Sequence, residues 1–360
     1  MTQIWQSRHW PHFRYDPAQV EPHLARAAQQ IGEISGLVVG LPDQDRAEFH
    51  LTQAAQEAIA SFGIEGVSLD AAEIEASIVA SLKHRDRGAI ARRSDAVAEL
   101  MAAARSAPAP LNAETLFDWH RLLFFGIEVE DLGRWRSFEL EIVRSAMAGA
   151  TDVLYKAPPP GRLDHEMVQF LKWLNTETTL SAPVKAALAH LWFESIHPFS
   201  DGNGRIGRAL IDYVFAQGNA LPFSFSRQVE RDKKAYYAAL QDGRKAGKGG
   251  IDATAFVVWF LQTLDNAAQI ARDEARFILR RNRFFLRFGP DLNDRQEKVL
   301  RALFDQGPTR VDLGISAKSY RKIAGTSAPT ATRDLVALER AGVLTRSDAG
   351  GRSTVYWLND

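Results

Sequence analysis

The sequence predicts a mainly α-helical protein with a little antiparallel β-structure. Three observations carry this. Apolar residues recur at helical spacing through most of the chain, as in Val20, Leu24, Ala27, Ile31 and Ile34. Between the helical stretches lie two pairs of short β-like runs, 140–143 with 153–155 and 343–346 with 353–358. The last seventy residues differ in style, with three helix candidates leading into the second of these pairs.

The chain opens on an aromatic cluster of Trp5, Trp10, Phe13 and Tyr15, which reads as a small core pinning the N-terminus. A helix follows over 17–38. Pro42 interrupts it, and a second helical stretch runs from 44 to 62. Residues 70–105 read as helical throughout, until Pro108 and Pro110 break the pattern. A helix restarts at Ala113 behind the cap Asn112, with Leu116, Trp119, Leu122 and Leu123 on one side. The runs 140–143 and 153–155, separated by the small-residue loop SAMAGAT, form an exposed hairpin whose exit is Pro158-Pro159-Pro160. Residues 164–176 and 184–195 are two helices, the second apolar nearly all round and therefore central. More helix spans 236–286, with a glycine-rich break at 247–250, and Gly289-Pro290-Asp291 marks a domain boundary. Helices at 297–304, 316–324 and 328–341 precede a hairpin that turns at Gly350-Gly351.

Composition narrows the function classes. The chain has 360 residues, 46% hydrophobic and 24% charged, enough for two or three domains with real cores. A formal net charge of zero gives no overall bias toward nucleic acid or membrane. Cysteine is absent, which excludes disulfides, thiolate catalysis and cysteine metal sites. The N-terminus lacks an apolar signal-peptide core, and the most apolar helix candidate, 253–264, is too short to span a bilayer. A soluble cytoplasmic protein with no membrane partner is the expectation.

The densest chemistry lies in twelve residues, His197-Pro198-Phe199-Ser200-Asp201-Gly202-Asn203-Gly204-Arg205-Ile206-Gly207-Arg208. Gly202 and Gly204 permit a tight turn that aims N–H groups at one point. The run from Arg205 reads as a helix, so the loop ends at a helix N-terminus, a ready anion site. Arg205 and Arg208 share one face of its first turns, where the helix dipole offers a cation nothing. They suit an external polyanion. His197 is placed to act as a general base, since an imidazole titrates near neutrality. Asp201 suits Mg²⁺ held together with phosphate oxygens, or serves as a loop cap. Asn203 can donate its amide to a phosphate, and Phe199 anchors the loop in the core.

This segment resembles the signature of the Fic family, H-x-F-x-D/E-G-N-G-R-x-x-R, at every specified position. The resemblance implies a Fic-type helical bundle in which the 140–155 hairpin is a flap that holds the target's backbone. It implies a protein adenylyltransferase that moves AMP from ATP to a Ser, Thr or Tyr hydroxyl of a protein target, itself included, with Arg208 on the γ-phosphate. Upstream, Ser61-Phe62-Gly63-Ile64-Glu65-Gly66 fits the family's inhibitory pattern S/T-x-x-x-E-G/N. There the glutamate pairs with the last arginine of the signature. Read alone, the same residues are a helix end with Gly66 just beyond it. The start of the chain resembles a domain often fused to Fic modules, and residues 291–360 resemble a winged helix-turn-helix. The expected division is 1–105, an N-terminal helical domain with the inhibitory motif; 106–288, the catalytic core; and 291–360. Three other readings stay open: removal of AMP with Glu65 orienting water, a donor other than ATP, and a DNA-binding regulator. A homodimer is also open.

Overall fold

The computed structural model describes residues 3–83, 90–144, 152–247, 250–348 and 354–359. The chain divides into two compact units, Met1–Arg272 and Asp273–Asp360. The architecture is mainly helical, as the apolar spacing predicts.

In the first unit the strand β1 (Phe13–Arg14) precedes helix α1 (Pro17–Val39). Asp16 caps α1 by accepting from Ala18 N, and Pro17 sits at the first helical position, where its missing N–H costs nothing. Helix α2 (Asp43–Ile64) carries Asp43 and Asp45 in its first turn, on the favourable end of its dipole. Where continuous helix is expected over 70–105 there are two helices, α3 (Ala71–Lys83) and α4 (Arg93–Ser106). Asp95 explains the restart: its carboxylate accepts from Arg92 N at 3.1 Å, closing the new N-terminus. Helix α5 (Ala113–Leu123) begins where Asn112 accepts from Thr115 N. It buries Leu116, Trp119 and Leu123, whereas Leu122 is only half-buried.

The hairpin forms from β2 (Glu141–Arg144) and β3 (Asp152–Lys156), antiparallel, with Ile142 opposite Tyr155 and an irregularity between Ile142 and Val143. The linking residues 145–151, the SAMAGAT loop, lie outside the described residues. Helices α6 (Leu163–Thr176), α7 (Ala182–Ile196) and α8 (Asn203–Ala216) follow. All residues of α7 from Ala186 to Ile196 are buried, which makes it the central helix. Each large apolar side chain fully buried there, such as Leu191, Phe193 or Ile196, contributes roughly 1.5–3 kcal/mol.

Helices α9 (Ser226–Arg231) and α10 (Lys233–Gly243) lead to a short antiparallel pair, β4 (Ala246–Gly247) and β5 (Gly250–Asp252), rather than to a plain break. The reason is β1, which pairs in parallel with β5 and gives it a partner from the start of the chain. The aromatic cluster therefore acts as expected. Trp10 and Phe13 pack edge-on or tilted against Trp192, and Trp5 Nε1 donates to Lys156 O at 2.8 Å.

Helix α11 (Thr254–Phe288) runs on into the second unit, which begins at Asp273 because Phe284 and Phe288 join its hydrophobic core. There α12 (Asp294–Phe304), α14 (Ala317–Ala324) and α15 (Ala328–Arg340) precede the pair β6 (Leu344–Arg346) and β7 (Tyr356–Leu358). A short helix, α13 (Pro308–Asp312), was not evident from spacing; it spans barely one turn. The Gly350-Gly351 turn lies outside the described residues. No helix among the described residues is long and apolar enough to cross a membrane.

Candidate active site

The corner between α7 and α8 is built by local backbone chemistry. His197 ends α7 in the left-handed conformation (φ 51°), its N–H donating to Phe193 O at 2.9 Å. Pro198 cannot continue a helix. Phe199 is fully buried and stacks on His120 at 4.2 Å, anchoring the loop. Gly202 then takes φ 79° as the cap of α8, where a Cβ would collide with Leu123 and Phe124. Helix α8 begins at Asn203, two residues before the expected Arg205.

Asn203 makes a local contact that its residue type alone does not show. Its amide accepts from Phe199 N and donates to Phe199 O, both at 2.9 Å, and it is buried. Both ends of the amide thus hold the loop closed. Asp201 keeps an exposed carboxylate (61%) that accepts from Arg205 at 3.2 Å. The Arg205 guanidinium lies between the Phe62 and Phe124 rings, 5.3 and 5.0 Å from their centroids. Burial pulls its pKa down, and the charges of Asp201 and Glu65 oppose that shift.

Arg208 is buried and faces α2 rather than open space. Its Nε donates to Ser61 Oγ at 2.9 Å, and Nη2 donates to Ser61 O at 2.7 Å and to Glu65 Oε1 at 2.9 Å. Burial would lower its pKa, but Glu65, with Tyr236 and Glu194, outweighs it and the net shift is upward. Nη1 is buried and has no hydrogen-bond partner among the described residues. Glu65 holds its place because α2 ends in a Schellman turn: Val67 N donates to Phe62 O, Gly66 N to Gly63 O, and Gly66 takes φ 77°. The helix-end reading and the arginine-pairing geometry are therefore both realised. A Cβ at Gly204 would strike the Glu65 carboxylate. Ser61, Glu65, Gly204 and Arg208 meet at one point.

Several participants carry no signal in the sequence. Glu194, buried on α7, sets its Oε2 3.6 Å and its carbonyl 3.3 Å from His197 Nδ1. Arg244 donates to that carbonyl at 2.6 Å and to the carboxylate at 3.3 Å. Burial would raise the Glu194 pKa, but His197, His190 and Arg244 hold it down at about 2. Arg136, also buried, donates to His197 O (2.9 Å), Phe138 O (2.6 Å) and Pro158 O (2.5 Å), and its own N–H donates to Pro198 O. It ties the corner between α7 and α8 to the hairpin base, and burial lowers its pKa to about 10. Repeated histidine or arginine patterns would not have found these residues, since their partners lie up to 62 positions away.

These residues surround a cavity of about 1020 Å³. Its walls are Glu65, His197 and residues 200–204 on one side, Leu140–Val143 and Leu154 of the hairpin on another, and Lys234, Tyr236, Tyr237 and Gln241 of α10. One cavity thus holds an imidazole, an exposed carboxylate and a helix N-terminus, under the edge of a strand pair.

Fold and site together define a helical protein with an anion seat beside a histidine. Comparison with known families makes this specific. Residues 110–215 match the Fic/DOC family. Residues 3–83 match a domain of unknown function, DUF4172. A probable protein adenylyltransferase of Aquifex aeolicus is 34% identical over 97 residues, 27% of this chain and 28% of the relative. The protein adenylyltransferase Fic of Culex quinquefasciatus is 41% identical over 86 residues, 23% of this chain and 17% of that protein. The chain therefore spans less than a third of the length of these relatives. The crystal structure of a Fic family protein from Desulfovibrio desulfuricans shares the fold over 94% of this chain and 96% of its own, with a TM-score of 0.53 at 23% identity.

Proposed function

We propose that this protein is a protein adenylyltransferase held inactive by its own α2. ATP is the co-substrate, and the acceptor is a Ser, Thr or Tyr hydroxyl of a protein target, this chain included. The observation that carries the reading is the pairing of Arg208 with Glu65 beside a complete His197–Arg208 corner. In the working state His197 Nδ1 donates to the Glu194 carbonyl, which leaves Nε2 as the acceptor on the cavity side. Nε2 takes the proton of the target hydroxyl as its oxygen attacks the α-phosphorus. A P–O bond to the target forms, the bond to the β-phosphate breaks, and pyrophosphate leaves.

The chain supplies positioning and charge. The first N–H groups of α8 lack partners within the helix and face the phosphates. Arg205 and Nη1 of Arg208 add charged donors. The hairpin β2–β3 offers its exposed edge, near Val143 and Val153, to the target's backbone as a flap. The donor set fits Mg²⁺, which commonly takes one or two carboxylates plus phosphate oxygens, and Asp201 would hold it. The ion would neutralise phosphate charge.

Glu65 competes with the γ-phosphate for Arg208, so inhibition follows from one shared donor. The test uses ATP labelled at either the α- or the γ-phosphorus. Label from the α-position should appear on protein and label from the γ-position should not. His197→Ala, removing a general base, should lower the rate about 10²–10⁴-fold. Transfer of the γ-label, or undiminished transfer by folded His197→Ala protein, refutes the reading.

A further inference from the structure

The transferase reading uses no residue after Arg244, and the second unit is charged unlike the first. Residues 273–360 hold 16 Lys and Arg against 11 Asp and Glu, within a chain of zero net charge. The excess is concentrated. Lys318, Arg321 and Lys322 on α14, Arg333 and Arg340 on α15, and Arg346 on β6 are all exposed, and none makes an ion pair with another described residue. Nearby acids are otherwise engaged. Asp334 is buried, accepting from Arg295 at 2.6 and 2.9 Å and from Tyr320 at 3.0 Å. Asp312 pairs with Arg280, and Glu297 with Arg301. Glu339, half-buried on α15, directly precedes Arg340, Asp334 feels the charge of its neighbour Arg333, and exposed Asp348 lies two residues beyond Arg346.

The backbone sets these cations on a helix-turn-helix. Gly325 ends α14 at φ 62°, and two residues later Ser327 caps α15. Ala331, Leu335 and Leu338 fix the inner face of α15 in the core of the unit. Its outer face (Pro329, Thr332, Arg333, the half-buried Val336, Ala337 and Arg340 among its residues) lines an open groove of about 970 Å³. That face lacks the aromatic or long aliphatic anchor around which protein interfaces concentrate their affinity. Short side chains, a threonine and two arginines instead suit the major groove of B-form DNA, wide enough for one helix, where arginine reads guanine and phosphates demand cations.

We propose that the second unit binds duplex DNA, with α15 in the major groove and the basic residues of α14 and β6 on the phosphates. This stands independently of AMP transfer, and its test needs no nucleotide. The full chain is titrated into a labelled random duplex of about thirty base pairs, and anisotropy is read. Binding should weaken about a hundredfold between about 50 and about 200 mM salt, the loss expected for about four neutralised phosphates. Arg333→Ala/Arg340→Ala should weaken it at least about tenfold, whereas Arg301→Gln, the same type of charge change on α12, should not. Urea midpoints of the variants should match wild type, so that a loss reports contact and not unfolding. A folded chain that shows no binding at low salt overturns the proposal. Indifference to the α15 variant does so too. Displacement by polyglutamate as readily as by unlabelled duplex would assign the surface to acidic proteins instead.

Discussion

If Glu65 withholds Arg208 from ATP, removing its carboxylate should activate the enzyme by an amount the geometry limits. The contact is one charge-assisted hydrogen bond of 2.9 Å, between a buried guanidinium and a carboxylate 29% exposed. Hydrogen bonds to charged groups contribute about 1.5–3 kcal/mol. At 1.36 kcal/mol per tenfold, freeing the arginine corresponds to roughly a ten- to hundredfold rise in rate. Ser61 keeps its two bonds to Arg208 in such a variant, so the side chain stays placed near the phosphates. Glu65→Gly and Glu65→Gln should both activate. The glutamine, which preserves size, should activate less because its carbonyl can still accept. Arg208→Ala should not activate, since it removes the clamp with the pair, and the double variant should resemble Arg208→Ala. Auto-modification with α-labelled ATP, read as initial rates, is the assay. Glu65 sits at the cap of α2 and not in its interior, so glycine there costs the helix little. Should neither Glu65 variant exceed wild type, or should Arg208→Ala activate, the shared-donor argument fails.

Three further outcomes are expected. Asp201→Ala should lose metal-dependent transfer, and excess EDTA should silence wild type; an unchanged rate in EDTA removes the metal role. Glu57, buried on α2, accepts from Ser224 Oγ and Ser226 N at 2.8 Å and from Ser226 Oγ. Glu57→Ala strands those donors, so thermal unfolding should show about 2–3 kcal/mol lost, and loosening of α2 should raise auto-modification as well. His120 Nδ1 accepts from Gly133 N at 3.0 Å, so Nε2 is the donor to Asp201 O, and the ring must be neutral. Burial lowers its pKa to about 4 from 6.5. The unfolded chain therefore binds the extra proton between these values, and stability should fall as pH drops from 6.5 toward 4. His120→Phe should flatten that part of the urea-midpoint profile, and an unchanged slope would refute the assignment.

What could be read from the sequence follows how local each interaction is. His197 to Arg208 is contiguous, so the corner's parts are visible as a string, and Gly202 is needed for a turn whose two flanks are adjacent. Ser61, Glu65 and Gly66 are visible as a helix end, but their contact with Arg208 spans 143 positions and rests on resemblance until the fold is seen. Arg136 looks like a solvated arginine in Gly-Arg-Trp-Arg. Only the tertiary fold delivers three carbonyls to it. Asn203 shows the opposite case. Its type suits phosphate, but Phe199, four residues back, claims both ends of the amide. The split between α3 and α4 and the β1–β5 pairing escaped for the same physical reason. Helix spacing reports an apolar face, not where a side chain such as Asp95 begins a new helix, nor which distant strand supplies a partner.

The two glycines Gly66 and Gly204 tie the Glu65–Arg208 contact to the corner between α7 and α8 more closely than either motif does alone. Gly66 lets α2 end where the Glu65 carboxylate reaches the first turn of α8, and Gly204 leaves that turn without the Cβ that would exclude it. The first turn of α8 favours an anion by its dipole and its unpaired N–H groups. In the resting chain that anion is Glu65, covalently attached and therefore always present. Under the proposed function, ATP would have to displace an intramolecular carboxylate from an arginine that it also needs. Inhibition of this kind would yield to anything that withdraws α2, and Glu57, the two glutamines Gln53 and Gln56, and Lys233, which donates to Gly63 O, are among the residues whose hydrogen bonds hold α2 in place.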